Sequence, residues 1–410
     1  MPSPFSIHDV HVTGSGVFVP GDPVGNDEVE AVLGQIGPRP SRYRRTIQSL
    51  NGIRSRHYAL RDGEATHLNE ELAANAVIAA LDRRALPLDE VGMLAVGTTL
   101  ADLLMPGFGS MVHGRLGAPP LEVLSAAGIC ASGAAALQHA WTSVMAGRHE
   151  VAVAAGSELS SAMMKASRFA LESQLAPGRD DPATAYRWFN AEFLRWMLSD
   201  GAGALVLEHR PHASEPSLRI DWIELTSYAG GLPTCMFLGS SDPRDVVAGK
   251  TWLTRDTPTD ADRDGMLVVR QDTDLLGDHI VTTAGEELRR LTKAGRIDPD
   301  LAYDWFLPHI SSYVFKDQLA ATLREVGLDL PTDRWFTNLA TKGNTGAASI
   351  YIMLDEALTT GMFRPGDRIL AMVPESGRFA MRRSRFFSPL ARRSILSLRN
   401  PTNISSRSSV

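Results

Sequence analysis

Three polar residues of the kinds found in acyl-transfer sites stand in short runs of small or apolar residues. They are Cys130 in "AAGICASGAAA", His309 in "FLPHISS" and Asn344 in "TKGNTGAAS". A thiolate can hold an acyl group, and histidine and asparagine can donate hydrogen bonds to the negative oxygen of a developing oxyanion or enolate. Cys–His–Asn sets also occur in cysteine proteases, so the residue types alone do not decide the reaction.

Cys130 stands where a predicted strand, "LEVLSAAGIC", runs into a predicted helix, "ASGAAALQHAWTSVMAGR". A thiol at a helix N-terminus lies at the positive end of the helix dipole, so we expect its pKa to be lowered. An inert core thiol is the alternative, because free cysteine behaves as a small hydrophobe. The small neighbours favour the nucleophile, because they let a substrate approach closely. Cys235 lacks them and is predicted to be a core or pocket-lining residue.

Strand and helix patterns alternate along the chain. Short apolar runs such as "VGMLAVGTT" and "EVAVAAGSEL" predict buried strands, and "NEELAANAVIAALDRRA" has the apolar spacing of an amphipathic helix. The alternation predicts an α/β fold with a buried sheet, in which sites gather outside the carboxyl ends of the strands. The same rhythm recurs in the second part of the chain, which indicates two similar halves.

A loop-like stretch, "RPHASEPS", separates these halves. We predict an N-terminal half over residues 1–212 that contains the cysteine, and a C-terminal half over residues 213–387 that contains the histidine and the asparagine. Residues 388–410 are rich in Arg, Ser and Asn and are predicted to form a disordered basic tail.

Composition excludes several classes of function. The chain has 410 residues, a net charge of −6 and two cysteines. The acidic balance, without a nucleic-acid motif, argues against nucleic-acid binding. Two cysteines cannot form a disulfide framework or a four-thiolate metal site, and no metal is predicted. No signal-peptide pattern and no membrane-length apolar run are present, so we expect a cytoplasmic protein.

Six segments, in order, resemble the β-ketoacyl-acyl-carrier-protein synthase III family of the thiolase superfamily. They are "GSGVFVPGDPVGNDEV", "NGIRSRHYA", "AAGICASGAAAL", "SDGAGALVL", "PHISS" and "GNTGAAS". The resemblance implies a thiolase-like five-layer α/β fold of two similar halves and a homodimer. It also implies that Cys130 takes up the acyl group, while His309 and Asn344 form the oxyanion site. The substrates would be thioesters of acyl carrier protein or coenzyme A, with no permanently bound cofactor.

The sequence departs from this family at three places. No tryptophan precedes "NGIRSRH", which leaves the stacking of coenzyme A open. "PESGRFA" has Ser376 where the family has a glycine, and Ser376 and Gly377 are still expected to contact the acyl group. A longer stretch over residues 163–198 stands where short members have a loop. It is expected to form a lid or a pocket wall, with Phe193 contacting the substrate.

That stretch and "GSELSS" resemble a branch of the family found in dialkylresorcinol and stilbene pathways. By this resemblance, the enzyme joins a β-ketoacyl or malonyl thioester to the acyl group and cyclises the product to a cyclohexanedione, an alkylresorcinol precursor. Ring closure needs a base, and Glu158 is predicted to be that base; the alternative is a salt-bridged or solvated carboxylate. Met105 is predicted to reach into the pocket across a dimer, or else to be core.

Arginines are concentrated between residues 39 and 56 of this acidic chain. A local basic cluster can steer an acidic partner, so Arg39, Arg42, Arg44 and Arg45 are predicted to bind an acyl carrier protein. A merely solvated face is the alternative. Two other functions stay open: acyl transfer to an oxygen or nitrogen acceptor, and a non-catalytic subunit of a synthase complex.

Overall fold

The alternating apolar runs of the sequence form the strands and helices of an α/β protein. A computed structural model describes residues 7–171, 182–242 and 248–388. The strands are β1 (Val10–Phe18), β2 (Val24–Gly25), β3 (Ser55–Arg56), β4 (Leu60–Arg61), β5 (Glu64–Ala65), β6 (Met93–Thr98), β7 (Glu122–Ala127), β8 (Val151–Glu158), β9 (Gly201–Glu208), β10 (Leu218–Ser227), β11 (Met236–Phe237), β12 (Arg270–Gln271), β13 (Trp305–Pro308), β14 (Arg368–Glu375) and β15 (Ala380–Phe387).

The α-helices lie between these strands, as the α/β pattern of the sequence predicts. They are α1 (Val29–Leu33), α2 (Arg44–Asn51), α3 (Asn69–Arg84), α4 (Phe108–Leu116), α5 (Ala131–Met145), α6 (Ser161–Met164), α7 (Pro182–Arg195), α8 (Pro258–Arg263), α9 (Thr273–Lys293), α10 (Lys316–Glu325), α11 (Leu339–Lys342) and α12 (Ser349–Thr359). No helix within the described residues is long and apolar enough to cross a membrane.

The main sheet of the described chain has nine strands in the order β13-β14-β15-β10-β1-β9-β8-β6-β7. Strands from the first half lie on one side of the antiparallel β1–β10 pair, and strands from the second half lie on the other. Outward from that pair, each side has two antiparallel pairings followed by a parallel one, and the first-half side adds a second parallel pairing between β6 and β7. The two sides therefore repeat one pairing pattern, while the boundary at residues 212/213 stays a prediction.

Helices cover both faces of these strands. α5 and α12 lie in the middle, where Leu137 and Leu354 belong to a core cluster that includes strands of both halves. α3 covers the other face of the first-half strands, and α9 covers the other face of the second-half strands. β6 and β8 are buried along their whole length, since a sheet covered on both faces has no solvent-facing side.

The backbone of α5 comes into direct contact with the turn at residues 346–348. A Cβ atom built on Gly133 of α5 would lie 2.0 Å from the carbonyl oxygen of Ala347, and one on Gly156 of β8 would lie 2.2 Å from the same atom. No side chain fits in either place. The Tyr351 hydroxyl of α12 also donates a hydrogen bond of 2.7 Å to the Gly133 carbonyl. These contacts fix the start of α5 against the turn that follows Asn344.

Two expectations drawn from the sequence need correction. The arginine-rich segment is not entirely a surface face, because Arg56 is fully buried and donates hydrogen bonds to Asn26 Oδ1 at 2.8 Å and to the Trp196 carbonyl at 3.1 Å. Ser388, assigned to the tail, is buried and its backbone bonds to Gly366 and Asp367. The rest of the predicted tail, residues 389–410, lies outside the described residues.

We expect Gly133→Ala to lower the free energy of unfolding by about 1–3 kcal/mol, because the added methyl group collides with the Ala347 carbonyl. Gly277→Ala is the matched control: this glycine is also helical, and a Cβ there meets no atom within 4 Å. The control should gain about 0.5–1 kcal/mol from helix propensity. Urea unfolding followed by circular dichroism measures both. A Gly133→Ala variant as stable as the wild type would contradict the close approach.

Candidate active site

Strands of both halves bring their carboxyl ends to one place in the molecule. Cys130 lies beyond the end of β7 and forms the N-cap of α5, while Glu158 is the last residue of β8. From the other half, His309 follows β13 and Glu375 ends the neighbouring strand β14. β7 and β8 each pair in parallel with β6, and β13 pairs in parallel with β14, so the chain leaves each set of strands on a common edge.

These four side chains and Asn344 line one cavity of about 710 Å³. Most of its wall is apolar. Residues near β8 and from the 163–198 stretch form one part: Leu100, Leu159, Met163, Met164, Leu194 and Leu198. Residues of the second half form another part: Phe237, Leu267, Val269, Leu276, Ile280, Phe315 and Leu319. The structure thus brings the predicted cysteine, histidine and asparagine to one apolar cavity of the size that holds small ligands.

Cys130 is a buried thiol with 8% of its surface exposed. Burial raises the pKa of this thiol, and the charges of Glu158 and Glu375 raise it further. The expected lowering of the pKa by the helix N-terminus is therefore wrong. The reason is that loss of solvation and two nearby carboxylates disfavour the thiolate more than the helix end favours it. Cys130 is a neutral thiol in the free protein.

His309 is held by its own backbone, whose N–H donates a hydrogen bond of 2.8 Å to the Met372 carbonyl of β14. The side chain is buried, and its Nε2 atom has no hydrogen-bond partner among the described residues. Burial lowers the pKa of His309 to about 4, so the imidazole is neutral at neutral pH. A buried polar atom without a partner is costly, and a polar atom of a bound ligand would supply that partner.

Asn344 is fixed at both its backbone and its side chain. Its backbone N–H donates to the Met197 carbonyl, and its carbonyl accepts from Ser199 N–H, both at 2.9 Å. The side-chain Oδ1 accepts the Gly346 N–H at 3.0 Å. Asn344 therefore stabilises the turn before α12, as a capping residue would, and its Nδ2 group is left to donate to a ligand.

Glu158 is tied to the same turn. Its Oε1 accepts the Thr99 hydroxyl at 2.5 Å and the Ala347 N–H at 2.9 Å. Burial raises the pKa of Glu158 to about 7, although both hydrogen bonds oppose the shift. The carboxyl group therefore positions the turn after Asn344 and can also gain or lose a proton near neutral pH.

Of the remaining residues predicted to contact substrate, some line the cavity and others do not. Ser376 and Gly377 line the cavity, and their carbonyls accept the Met236 and Cys235 N–H groups at 3.1 and 2.8 Å. Met105 does not line the cavity of its own chain and has 84% of its surface accessible, whereas its neighbour Leu104 does line that cavity. Phe193 packs into the core next to the cavity, while its neighbour Leu194 lines the cavity wall.

The predicted carrier-protein residues lie at the start of α2 and before it. Arg39, Arg42 and Arg45 are exposed, and Arg44 is half-buried. α2 packs against residues 313–315, one of which, Phe315, lines the cavity. Therefore α2 lies close to the site. No group of three or more potential metal ligands occurs in the described parts of the chain.

Sequence reasoning missed Glu375 as a site residue. The motif "PESGRFA" drew attention to Ser376, yet the preceding glutamate also lines the cavity. A carboxylate at the end of a strand, next to residues expected to contact the acyl group, was the available signal. Cys235 is buried, and its Sγ donates to the Asp272 carbonyl at 3.3 Å, as expected of a core cysteine.

Two family profiles match the chain. "Thiolase, N-terminal domain" matches residues 51–181, which include Cys130. "3-Oxoacyl-[acyl-carrier-protein (ACP)] synthase III C terminal" matches residues 300–377, which include His309. A β-ketoacyl-[acyl-carrier-protein] synthase III from Dinoroseobacter shibae is 26% identical over 359 residues, covering 88% of this chain and 93% of that protein.

Solved structures resemble the whole arrangement. A 3-oxoacyl-(acyl carrier protein) synthase III from Pseudomonas aeruginosa has a TM-score of 0.64 and 22% identity, covering 93% of this chain and 98% of its own. Cerulenin-bound OleA from Xanthomonas campestris has a TM-score of 0.70 and 18% identity, covering 93% of this chain and 97% of its own. The predicted thiolase-like α/β fold is confirmed.

Because the pKa of Cys130 is raised, the thiolate fraction should grow about tenfold per pH unit through the neutral range. We therefore expect the rate of Cys130 alkylation by iodoacetamide to keep rising up to about pH 9, without a plateau. Intact-protein mass spectrometry measures the rate, and Cys130→Ala corrects for labelling of Cys235. A plateau below about pH 8 would show that the helix terminus controls the thiol after all.

Proposed function

The chain belongs to the ketosynthase III group of the thiolase superfamily, a group of acyl-transferring enzymes, and we propose that it forms a carbon–carbon bond between two thioesters. One observation carries the proposal: Cys130, His309 and Asn344, which come from distant parts of the chain, line one apolar cavity. An acyl group can be held there on the thiol, next to two neutral groups able to donate hydrogen bonds.

In the first half-reaction, the Cys130 sulphur attacks the carbonyl carbon of an acyl thioester. The C–S bond to the carrier breaks, the acyl group stays on Cys130, and the thiol proton leaves with the carrier's sulphur. Because both the thiol and the new thioester are neutral, the apolar cavity accepts them without burying a lasting charge. This fits a nucleophile that is protonated at rest.

In the second half-reaction, an enolate of the second thioester attacks the acyl carbon on Cys130. His309 Nε2 and Asn344 Nδ2 are the donors proposed to hold the negative oxygen. His309 is neutral, and its buried Nε2 has no partner within the described chain, so it is ready to meet an oxygen. Asn344 is preorganised by its bond to the Gly346 N–H. Preorganised donors in a site without water stabilise such charge strongly.

The substrates are proposed to be an acyl thioester and a β-ketoacyl or malonyl thioester. The cavity wall supports this, since apolar residues from both halves of the chain line it. Each set of residues can bury an apolar chain while the reacting carbonyls meet at Cys130. Apolar burial contributes about 0.8 kcal/mol per CH₂ group, so chain length should control binding.

A second bond formation, closing the product to a cyclohexanedione, is proposed as in the dialkylresorcinol branch. Ring closure requires a base for an acidic carbon. Glu158 lines the cavity, and its raised pKa of about 7 suits reversible proton transfer at neutral pH. The same carboxyl group holds the Ala347 N–H, so it combines a positioning and a proton-transfer role.

The thioester carrier is proposed to be an acyl carrier protein, which is small and strongly acidic. The exposed Arg39, Arg42 and Arg45, which lie in α2 or just before it, offer it a basic surface. We also propose a cytoplasmic homodimer in which the exposed Met105 reaches the partner subunit's cavity. The exposure of the neighbouring apolar residue Leu103 supports a partner that covers this loop.

Wild type exposed to a panel of acyl-carrier and acyl-coenzyme A thioesters should gain an acyl adduct, and Cys130→Ala should gain none. Intact-protein mass spectrometry reads the adduct. His309→Ala and Asn344→Ala should still load but condense about 10²–10³-fold more slowly, because each lacks one oxyanion donor.

The product of that reaction separates the open functions. Transfer of the acyl group to an alcohol or amine, with no carbon–carbon product, would support a plain acyltransferase. If no thioester labels the wild type, a non-catalytic subunit becomes the better explanation.

We expect Glu158→Gln to release the linear condensation product, with ring closure slowed about 100-fold or more. The amide keeps the size of the side chain and can still accept the Ala347 N–H, but it cannot take a proton. Chromatography of linear and cyclic products gives the ratio. An equal loss of both products would show that Glu158 acts only by positioning the turn.

A further inference from the structure

Glu375 is a second carboxylate on the cavity wall, and the functions assigned above do not use it. It is the last residue of β14 and is half-buried. Its Oε2 accepts a hydrogen bond of 3.2 Å from the backbone N–H of Ile129, the residue directly before Cys130. The carboxylate is therefore held against the backbone next to Cys130.

Glycines flank this carboxylate. A Cβ atom on Gly128 would lie 3.2 Å from Glu375 Oε2, and one on Gly377 would lie 3.2 Å from Glu375 Oε1. Because neither residue has a side chain, nothing from these two positions covers the oxygens. A bound substrate can approach them at the point where Gly128, Gly377 and Cys130 all line the cavity.

The other titratable groups on the wall already have a proposed role or a different charge. Glu158 is the proposed base of ring closure, and its Oε1 accepts the Thr99 hydroxyl and the Ala347 N–H. His309 is the proposed donor to the oxyanion and cannot be the proton acceptor through the same nitrogen. Arg378, the one fixed positive charge among the described cavity-lining residues, is exposed, and its Nε donates to the Leu232 carbonyl at 3.1 Å.

We propose that Glu375 is the catalytic base of the condensing step and takes a proton from the α-carbon of the second thioester. The inference rests on the proposed function. The C–H bond breaks, its proton goes to Glu375, and its electron pair forms the enolate. The enolate carbon bonds to the acyl carbon on Cys130, and the C–S bond breaks with its electron pair left on sulphur. The proton on Glu375 then passes to that sulphur, which restores the thiol and the carboxylate.

The position of Glu375 suits the return of the proton to Cys130. Its bond to the Ile129 N–H holds it next to Cys130, which receives the proton. Its charge acts on the thiol, since the pKa of Cys130 is raised in part by Glu375. A resting thiol and a resting carboxylate are the two species that the step regenerates.

A catalytic base is needed only for a second substrate that loses a proton from carbon. An enolate formed by loss of a proton needs a base, whereas an enolate formed by loss of CO₂ from a malonyl thioester does not. Removing the carboxylate should therefore slow condensation with a β-ketoacyl thioester and leave a decarboxylating nucleophile nearly unaffected.

The test loads Cys130 with an acyl group and then adds excess β-ketoacyl or malonyl thioester, with loss of the acyl adduct followed by mass spectrometry. E375Q should load like the wild type, within about threefold. It should discharge to the β-ketoacyl thioester about 100-fold or more slowly, and to the malonyl thioester within about threefold of wild type. E375D, which keeps the carboxylate, should recover most of the rate. E64Q, the same change at an exposed residue of β5, is the control.

Each other outcome counts against the inference. Equal slowing with both nucleophiles would mean that Glu375 only positions Ile129, and unchanged discharge with both would mean that it has no part in the step. Discharge of the wild type by malonyl thioester alone would also overturn the inference, because no proton is then removed from carbon. In these cases loading is normal and the proposed function stands. A wild type that no thioester loads would overturn the proposed function and this inference together.

Discussion

The backbone contact between the start of α5, strand β8 and the turn at residues 346–348 is the constraint on which the site depends. Gly133 and Gly156 both face the Ala347 carbonyl at distances that exclude any side chain. Glu158 Oε1 accepts the Ala347 N–H from the other side, and Asn344 Oδ1 accepts the Gly346 N–H. One turn thereby places the asparagine of the second half against the helix that carries the cysteine of the first.

The electrostatics of the cavity follow from burial. Loss of solvation keeps the Cys130 thiol protonated and His309 neutral, and it raises the pKa of Glu158 to about 7. The charges that act on the Cys130 sulphur are therefore those of the carboxyl groups of Glu158 and Glu375. Charge that develops during a reaction meets fixed dipoles in a low-dielectric space, where each hydrogen bond is worth more than in water.

The repeated pairing pattern of the two sides of the sheet explains how one cavity receives groups from both halves. β7 and β8 end at the same edge on one side of the sheet, and β13 and β14 end together on the other. α5 and α12 fill the space between the strands, and both begin near the cavity. Strands on the two sides of the sheet thus bring Cys130 from one half and His309 from the other to one cavity.

The sequence by itself determined the α/β class, most of the strands and helices, and the choice of Cys130, His309 and Asn344 as candidate site residues. The reason is that the spacing of apolar residues, the runs of small residues and the positions at strand ends are local properties of the chain. Only the tertiary structure decided the protonation of Cys130, since burial and the charges of Glu158 and Glu375 come from residues distant in sequence. It also placed Leu194 on the cavity wall and Phe193 in the core beside it, and left Met105 exposed. Which side of a helix or loop meets the cavity depends on packing between elements, and one sequence segment does not contain that information.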